Sequence, residues 1–246
     1  MEQKSKFPTE MVDLPSKGLL YLKDSPLASG QIEMKYMTAK EEDILTNQNY
    51  IQSGVVIDKL LQSLIVTPIN YGDLLVGDKN AILIASRILG YGKDYEFEYL
   101  GEKQIVDLTK LEHKEIDETL FKAGENNFTF TTPTTGNLIT FKLLTHKDEQ
   151  DIDREVKGLK KINKESSTEL STRLKYMITS INGDTSVKAI RDFVDNHFLA
   201  KDSRAFREYI REIQPDINLK FFPENGPSGG VEIPIGISFL WPDAGL

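Results

Sequence analysis

Cysteine is absent from this 246-residue chain, and its absence limits the chemistry that the protein can contain. Without cysteine there is no disulfide bond and no thiolate ligand for a metal ion. Long apolar runs are missing as well, because no segment approaches the roughly 20 residues that a membrane-spanning helix needs. The opening stretch MEQKSKFPTEMVDLP lacks the apolar centre of a secretory signal, so we expect no export by that route.

Basic residues are in the minority: 30 Lys and Arg stand against 38 Asp and Glu, which gives a formal net charge of −8. A protein that wraps nucleic acid neutralises phosphates with clustered Lys and Arg. The one compact basic cluster in the sequence, KGLKKINK at 157–164, directly follows an acidic stretch. We therefore expect no nucleic-acid partner and no membrane partner.

Motifs that mark common active sites are also missing. The chain has no Walker A spacing, no GxSxG, no HExxH and no EF-hand loop. His113, His146 and His197 lie far apart, so each is interpreted as a helix-end or surface residue. The acids of KDEQDIDRE (147–155) fit a solvated helix face, and the acid of GDKNAI (77–82) fits a solvated helix N-cap. The sequence thus predicts no enzyme, no catalytic residue, no cofactor and no metal site.

Helix starts are marked by capping boxes. Thr38 with Glu41 predicts a helix that runs to about residue 49. Similar boxes open predicted helices at 145–148 and at 166–169, and the second of these helices continues through residue 181.

Apolar residues at helical spacing predict further helices at 54–66, 81–89, 186–198 and 203–213. We expect Asp78 and Asp202 to be the N-caps of the helices at 81–89 and 203–213.

Strand-type alternation predicts β structure between and after the helices. Residues 30–37 predict a lead-in strand, and 95–108 and 126–144 predict two hairpins. Near the end, 217–222 and 231–241 predict two strands around a Gly- and Pro-rich loop. The order of these elements predicts an α+β fold with an extended N-terminal arm and a C-terminal strand.

We divide the chain into three parts. Residues 1–37 are an extended arm and lead-in strand, 38–144 are helices followed by hairpins, and 145–246 are a helical segment followed by a C-terminal hairpin. The last two parts both place a hairpin after helices, which fits either a diverged duplication or a coincidence.

Apolar residues gather in two extended segments, LPSKGLLY at 14–21 and ISFLWPDAGL at 237–246, and Phe221 and Phe222 lie in the predicted hairpin before the second segment. Two interpretations stay open. The segments belong to the domain's own sheet, or they dock onto a neighbouring protein, since β-addition needs spare edge strands. In the second case the candidate partner-binding residues are Leu14, Leu19, Tyr21, Phe221, Phe222, Phe239, Leu240 and Trp241.

Four stretches carry a resemblance to a known family: LPSKGLLY (14–21), SGQIEMKYMTAKEEDILTNQNYIQSGVVIDKLLQSLI (29–65), GDKNAILIASRILGYG (77–92) and VEIPIGISFLWPD (231–243). In them the chain resembles the baseplate hub and hub-assembly proteins of T4-like contractile-tailed bacteriophages. The resemblance implies a structural or assembly role in the central hub of the tail baseplate, through docking onto other tail proteins. It also implies a location in the virion tail baseplate, or in the cytoplasm of the infected host during assembly.

The resemblance bears on FFPENGPSGGVEIPIG (221–236), which has the frame of a metal-binding hairpin without the ligands. Such families commonly carry CxxC-type zinc knuckles at hairpin tips. The corresponding places here, around 99–102 and 222–225, contain no cysteine. The resemblance therefore implies hairpins that are kept without the metal, with Phe221, Phe222 and Pro223 supplying by packing what zinc supplies by coordination.

Two other functions fit the same sequence. A transient hub-assembly chaperone, absent from the mature virion, would show the same features. A hydrolase or nuclease that uses Asp or Glu with a bound cation would require three or more acids to converge in one pocket.

Overall fold

The computed structural model describes residues 8–162, 168–223, 227 and 229–241, and in them the predicted α+β class is confirmed. The strands are β1 (Thr9–Asp13), β2 (Gln31–Lys35), β3 (Asp94–Tyr99), β4 (Glu102–Asp107), β5 (Phe128–Thr131), β6 (Leu138–Phe141), β7 (Ile178–Ile181), β8 (Lys220–Phe221) and β9 (Val231–Glu232). The helices are α1 (Ala39–Leu45), α2 (Gln48–Ser53), α3 (Val56–Leu64), α4 (Val76–Tyr91), α5 (His146–Ile162), α6 (Glu169–Met177), α7 (Val187–Asp192), α8 (Ala200–Ile213) and α9 (Ile237–Leu240).

All strand pairs among the described residues are antiparallel. Three two-stranded sheets are β1–β2, β3–β4 and β8–β9, and a three-stranded sheet has the order β5-β6-β7. The predicted hairpins at 95–108 and 126–144 are present as β3–β4 and β5–β6. Buried apolar side chains form one continuous cluster that draws on residues from Leu14 to Leu240.

Helix α4 lies in the middle of this cluster because apolar residues surround it. Four successive side chains, Ala81, Ile82, Leu83 and Ile84, are buried, so other parts of the chain cover every side of the helix at this turn. The start of α4 is in direct contact with the backbone of residues 215–216. A Cβ atom on Gly77 would lie 1.9 Å from the carbonyl oxygen of Pro215, so only glycine allows the segment after α8 to pass there.

A buried carboxylate joins the N-terminal segment to α4. Asp78 is 0% exposed and accepts hydrogen bonds from the Ser16 N–H (2.9 Å), the Ser16 hydroxyl (2.7 Å) and the Tyr21 hydroxyl (2.6 Å). The Tyr21 oxygen accepts in turn from the Leu75 N–H at 2.9 Å. Burial raises the pKa of Asp78, and the hydrogen bonds from Ser16 and Tyr21 oppose that rise.

The prediction of Asp78 as a solvated N-cap is therefore wrong. Helix α4 begins at Val76, with Leu75 as its N-cap, so Asp78 is the third helical residue. Its carboxylate accepts hydrogen bonds from the turn at 14–21 and is buried away from water. In the segment predicted as an extended arm and lead-in strand, β1 pairs with β2 along Thr9–Asp13.

We expect Asp78→Ala to lower the free energy of unfolding by about 3 kcal/mol, because three buried donors lose their acceptor. Urea denaturation followed by circular dichroism measures the change. Asp43→Ala is the control, since Asp43 is exposed on α1, and should cost less than about 0.5 kcal/mol. Equal stability of the two variants would contradict the structural role of Asp78.

The capping box at Thr38 and Glu41 is confirmed, and Glu41 also joins three elements. One of its carboxylate oxygens accepts from the Thr38 N–H (3.0 Å) and the Thr38 hydroxyl (2.6 Å). The other accepts from Lys35 on β2 (2.8 Å) and Ser63 on α3 (2.7 Å). Burial alone would raise the pKa of Glu41, but these hydrogen bonds outweigh it and hold the pKa at about 2.

The helix predicted to run from this box to residue 49 is divided in two. Helix α1 ends at Leu45, and α2 begins at Gln48. The side chain of Asn47 accepts from the N–H groups of Asn49 (3.0 Å) and Tyr50 (3.2 Å), so it starts a new helix where the pattern alone predicted continuation.

Glu41→Gln tests the charged state of this site. The folded chain holds the pKa of Glu41 below its ordinary value of 4.5, so the ionised form stabilises the fold above about pH 4.5. This contribution is lost as the pH falls towards about 2. The variant should have a lower urea midpoint than the wild type near neutral pH, and the difference should shrink below about pH 4.5.

Asp43→Asn is the control for that experiment, because Asp43 lies exposed on the same helix. Its urea midpoint should match the wild type at every pH. A Glu41→Gln deficit that stays constant across the acid range would refute the account.

Residues 178–181 form a strand where the sequence predicted a helix. Helix α6 ends at Met177, and β7 adds to the edge of β6. Ile178 and Ile181 are buried, and β-branched side chains pack well in a strand. Of the capping box predicted at 166–169, residues 166 and 167 lie outside the described residues.

Asp202, predicted as an N-cap, lies in the first turn of α8 because that helix already begins at Ala200. Its buried carboxylate accepts from the Thr134 N–H (2.8 Å), the Thr135 N–H (3.1 Å) and the Thr135 hydroxyl (2.8 Å). Although burial opposes it, these hydrogen bonds lower the pKa of Asp202. Asp202 thus attaches the turn between β5 and β6 to α8.

The strand predicted at 231–241 is much shorter in the structure. Strand β9 covers Val231–Glu232, and Ile237–Leu240 form the helical turn α9. Pro234 has no N–H group to continue a ladder, and its carbonyl accepts from the Tyr95 hydroxyl at 2.9 Å. The C-terminal strand is therefore a short hairpin strand followed by a helical turn.

Candidate functional site

Four of the eight side chains predicted to bind a partner lie in the core. Leu14 and Tyr21 are 1% and 7% exposed, and Phe239 and Leu240 are 0% exposed. Tyr21 is held by Asp78 at 2.6 Å, and Phe239 packs edge-on against Tyr95 with the ring centres 4.8 Å apart. A partner cannot reach these four side chains in this conformation. The hypothesis that they bind a partner is therefore corrected: they are part of the domain's own core.

The other four differ in exposure. Leu19, Phe221 and Trp241 are half-buried, and Phe221 meets Phe97 edge-on at 5.7 Å. Phe222 is 60% exposed and points away from the core. Of the predicted set, Phe222 is therefore the side chain that offers most of its area to a partner.

Aromatic packing holds the hairpins β3–β4 and β8–β9 together. Tyr95 stacks on Phe97 at 5.6 Å, and the contacts of these rings with Phe239 and Phe221 link the two hairpins. Phe221 takes part in this cluster, whereas Phe222 makes no ring contact among the described residues. That packing by Phe221, Phe222 and Pro223 replaces a lost zinc site stays a prediction. Within the described ranges, no group of three or more His, Cys, Asp or Glu is arranged to hold a metal ion.

Two pairs of adjacent apolar residues each have one more buried and one exposed member. In β4, Val106 is 8% exposed and Ile105 is 65% exposed, because successive side chains of a strand point to opposite faces. In the second pair, Phe221 ends β8 and is half-buried, whereas Phe222, which follows the strand, is 60% exposed. One member of each pair is therefore an outward-facing apolar group.

Ile105 and Phe222 border the same concavity between the two hairpins. It has a volume of about 500 Å³, and Val106, Phe221 and Lys220 also line it. A second concavity, of about 630 Å³, shares Lys220 and Phe222 with the first and extends to α8. We refer to the two adjoining concavities together as the hairpin groove.

Cations from separate parts of the chain meet at the hairpin groove. Lys110, Arg207, Arg211 and Lys220 line it, are exposed, and make no ion pair in the described part of the molecule. Lys114 differs from them: its ammonium group donates to the carbonyls of Arg211, Glu212 (3.0 Å) and Gln214 (3.1 Å). It therefore closes the C-terminal end of α8, where a cation is favoured.

A second polar cluster contains His146, Asp58, Tyr71 and Lys79. Asp58 accepts from Lys79 (2.6 Å) and from the Tyr71 hydroxyl (3.0 Å), and Lys79 lies 3.2 Å from Nδ1 of His146. Nε2 of His146 lies 3.4 Å from Asp58. The expectation of a helix-end histidine is confirmed by its place at the start of α5, but the side chain is buried, at 4% exposure.

Burial and the charge of Lys79 lower the pKa of His146, which favours the neutral imidazole. The cluster joins α3, α4, α5 and the turn at 71–73, so its hydrogen bonds hold these elements together. A surface cavity of about 860 Å³ borders it on the side of Tyr71.

Sequence reasoning missed Ile105 and the cations that surround Phe222. The signal for Ile105 was present, because Ile105 and Val106 are neighbours in a predicted strand and only one can face the core. The cations carried no local signal, since Lys110, Arg207, Arg211 and Lys220 come from three separate segments.

None of the helices in the described part of the chain combines the length and the apolar character that crossing a bilayer requires. In comparisons with known proteins, no protein-family model, no curated protein and no solved structure matches the chain.

The two neighbour pairs give a direct test of which side chains the fold needs. We expect Val106→Ser and Phe221→Ser to lower the free energy of unfolding by about 1–3 kcal/mol, because buried apolar area is lost. Ile105→Ser and Phe222→Ser should change it by less than about 0.5 kcal/mol. Urea denaturation of the four variants measures this, and equal losses within each pair would disprove the outward placement of Ile105 and Phe222.

Proposed function

We propose that the protein is a structural or assembly component of the central hub of a contractile phage tail baseplate, and that it acts by docking onto other tail proteins. The observation that carries the docking part is the pair Ile105 and Phe222, two largely exposed apolar side chains that border one groove. The assignment to a baseplate hub rests on the resemblance of the segments at 14–21, 29–65, 77–92 and 231–243 to hub proteins.

The hairpin groove supports a docking function through both its composition and its rigidity. Exposed apolar side chains that lie next to each other and have a polar rim are typical of protein–protein contact sites. The groove is supported by the aromatic cluster beneath it, in which Tyr95, Phe97, Phe221 and Phe239 are in ring contact. A partner therefore meets a surface that is already in place, which lowers the entropic cost of binding.

The rival functions make different demands on the molecule. A cation-dependent hydrolase or nuclease needs several acids in one pocket, and the described residues contain no such metal-binding group. A transient assembly chaperone would use the same docking surface but would leave before the particle is complete. The two hub roles therefore differ in whether the protein is found in mature particles.

Tagged protein recovered from infected cells tests the proposal. The wild-type chain should bring down other tail proteins, and mass spectrometry of purified particles should distinguish a resident component from a chaperone. The double variant Ile105→Ser/Phe222→Ser should lose at least about ten-fold in recovered tail protein, since both apolar anchors are removed.

Val187→Ser is the matched control, because Val187 is 67% exposed and lies outside the hairpin groove. It should recover tail proteins at the wild-type level. Recovery of no tail protein by the correctly folded wild type would overturn the proposed function. A truncation after Gly236 is unsuitable, because it removes Phe239 and Leu240 from the core.

A further inference from the structure

We propose that the hairpin groove takes an extended partner segment in which apolar residues alternate with Asp or Glu. This inference rests on the proposed docking function and adds the chemistry of the partner.

The hairpin groove differs in charge from the rest of the protein. The linings of the two concavities contain six Lys or Arg and four Asp or Glu, although the whole chain has a net charge of −8. Several of these acids are already engaged. Lys93 pairs with Asp94 (3.1 Å) and Asp107 (2.7 Å), and Asp216 accepts from the side chain of Asn80 at 2.9 Å.

The cations Lys110, Arg207, Arg211 and Lys220 form no ion pair among the described residues, and their exposed side chains can reach a bound segment. Arg207 donates to the carbonyl of Ser203 at 3.3 Å, and the charges of Arg207 and Arg211 also act on Glu208 of α8. The groove is thus a positively charged region on an acidic protein. Such a region attracts negatively charged partners and repels positively charged ones.

The exposed apolar side chains of the groove lie among these cations. Ile105 and Phe222 border the first concavity, and Lys220 is next but one to Phe222 in the chain. A partner that offered acids alone would leave both apolar side chains in water. Apolar residues between the acids of the partner segment would bury Ile105 and Phe222, and this burial contributes about 25 cal/mol for each Å² of apolar area.

The strands at the groove have backbone edges to which an extended segment can add. Strand β4 pairs only with β3, and β8 only with β9, so each has one edge without a neighbouring strand in the described chain. Just before β8, the segment 216–218 pairs with 112–114, through Lys114 N–H to Asp216 O and Asn218 N–H to Glu112 O, both 2.8 Å. Strand-like pairing thus already occurs beside the groove, and an extended segment can continue it with main-chain hydrogen bonds.

Single-stranded nucleic acid is the main alternative for a basic groove with an exposed aromatic ring. Glu232 lies opposite Lys220 in the β8–β9 ladder and lines the groove. Its carboxylate repels a continuous phosphate backbone, whereas a peptide can place an apolar or neutral residue against it. The structure therefore favours the acidic peptide.

Fluorescence anisotropy with defined probes tests the proposal. The first probe is a labelled ten-residue peptide of alternating Glu and Val, and the comparison probes carry Lys for Glu or Ser for Val. A ten-nucleotide single-stranded DNA is the fourth probe. The Glu–Val peptide should bind most tightly, and its affinity should fall several-fold as the salt concentration rises from about 50 to 300 mM.

Arg211→Glu/Lys220→Glu should weaken binding of the Glu–Val peptide at least about ten-fold, because two attractive charges become repulsive. Val187→Ser/Lys188→Glu is the matched control, since it changes an exposed apolar and an exposed basic residue on α7, outside the groove. Its affinity should stay within about two-fold of the wild type. Circular dichroism melting shows that each variant is folded.

Failure of the Glu–Val peptide to bind, an equal loss in the control variant, or tighter binding of the DNA would each overturn this inference. Such a result leaves the proposed hub function standing if the wild type still recovers tail proteins from infected cells. Loss of that recovery is the separate failure of the proposed function.

Discussion

The start of helix α4 is the constraint on which the rest of the structure depends, because the segments at 14–21 and 215–216 both attach there. The buried carboxylate of Asp78 holds the turn at 14–21 through three hydrogen bonds of 2.6–2.9 Å. One residue earlier, Gly77 lets the segment at 215–216 pass in direct contact with the helix. That segment leads into β8, so the position of Phe221 and Phe222 relative to the β3–β4 hairpin is set from α4. Asp202 has the same role for the turn between β5 and β6.

The candidate surface follows from this core. Phe97 and Phe221 are in ring contact between the two hairpins. Val106 of β4 is buried on the same face as Tyr95, its cross-strand partner, so Ile105 points to the opposite face. Ile105 and Phe222, the residue after β8, are the exposed apolar groups at the groove. The cations around them come from the segment after β4, from α8 and from β8, and they meet because Lys114 ties the end of α8 to the segment before β8. The proposed docking surface thus lies directly beside the core side chains of the same hairpins.

Local patterns predicted much of the fold, and tertiary contacts decided the remainder. The capping box at Thr38 and Glu41 and the hairpins at 95–108 and 126–144 depend on neighbouring residues, so they could be found in the sequence. Asp78 and Asp202 resemble N-caps locally, yet their partners lie more than 50 residues away in the chain. The same holds for β7, which is a strand because β6 offers it an edge. Of the candidate site, Phe222 was predicted, whereas the gathering of cations required the folded chain.

The central claim is that the outward members of the neighbour pairs touch another tail protein while the inward members do not. Site-specific photo-crosslinking in infected cells tests it most directly, with a photoreactive amino acid placed in turn at positions 105, 222 and 187. The account predicts crosslinks to a second tail protein from positions 105 and 222, and none from position 187. Crosslinks from position 187 alone, or from none of the three in cells that assemble tails, would contradict it.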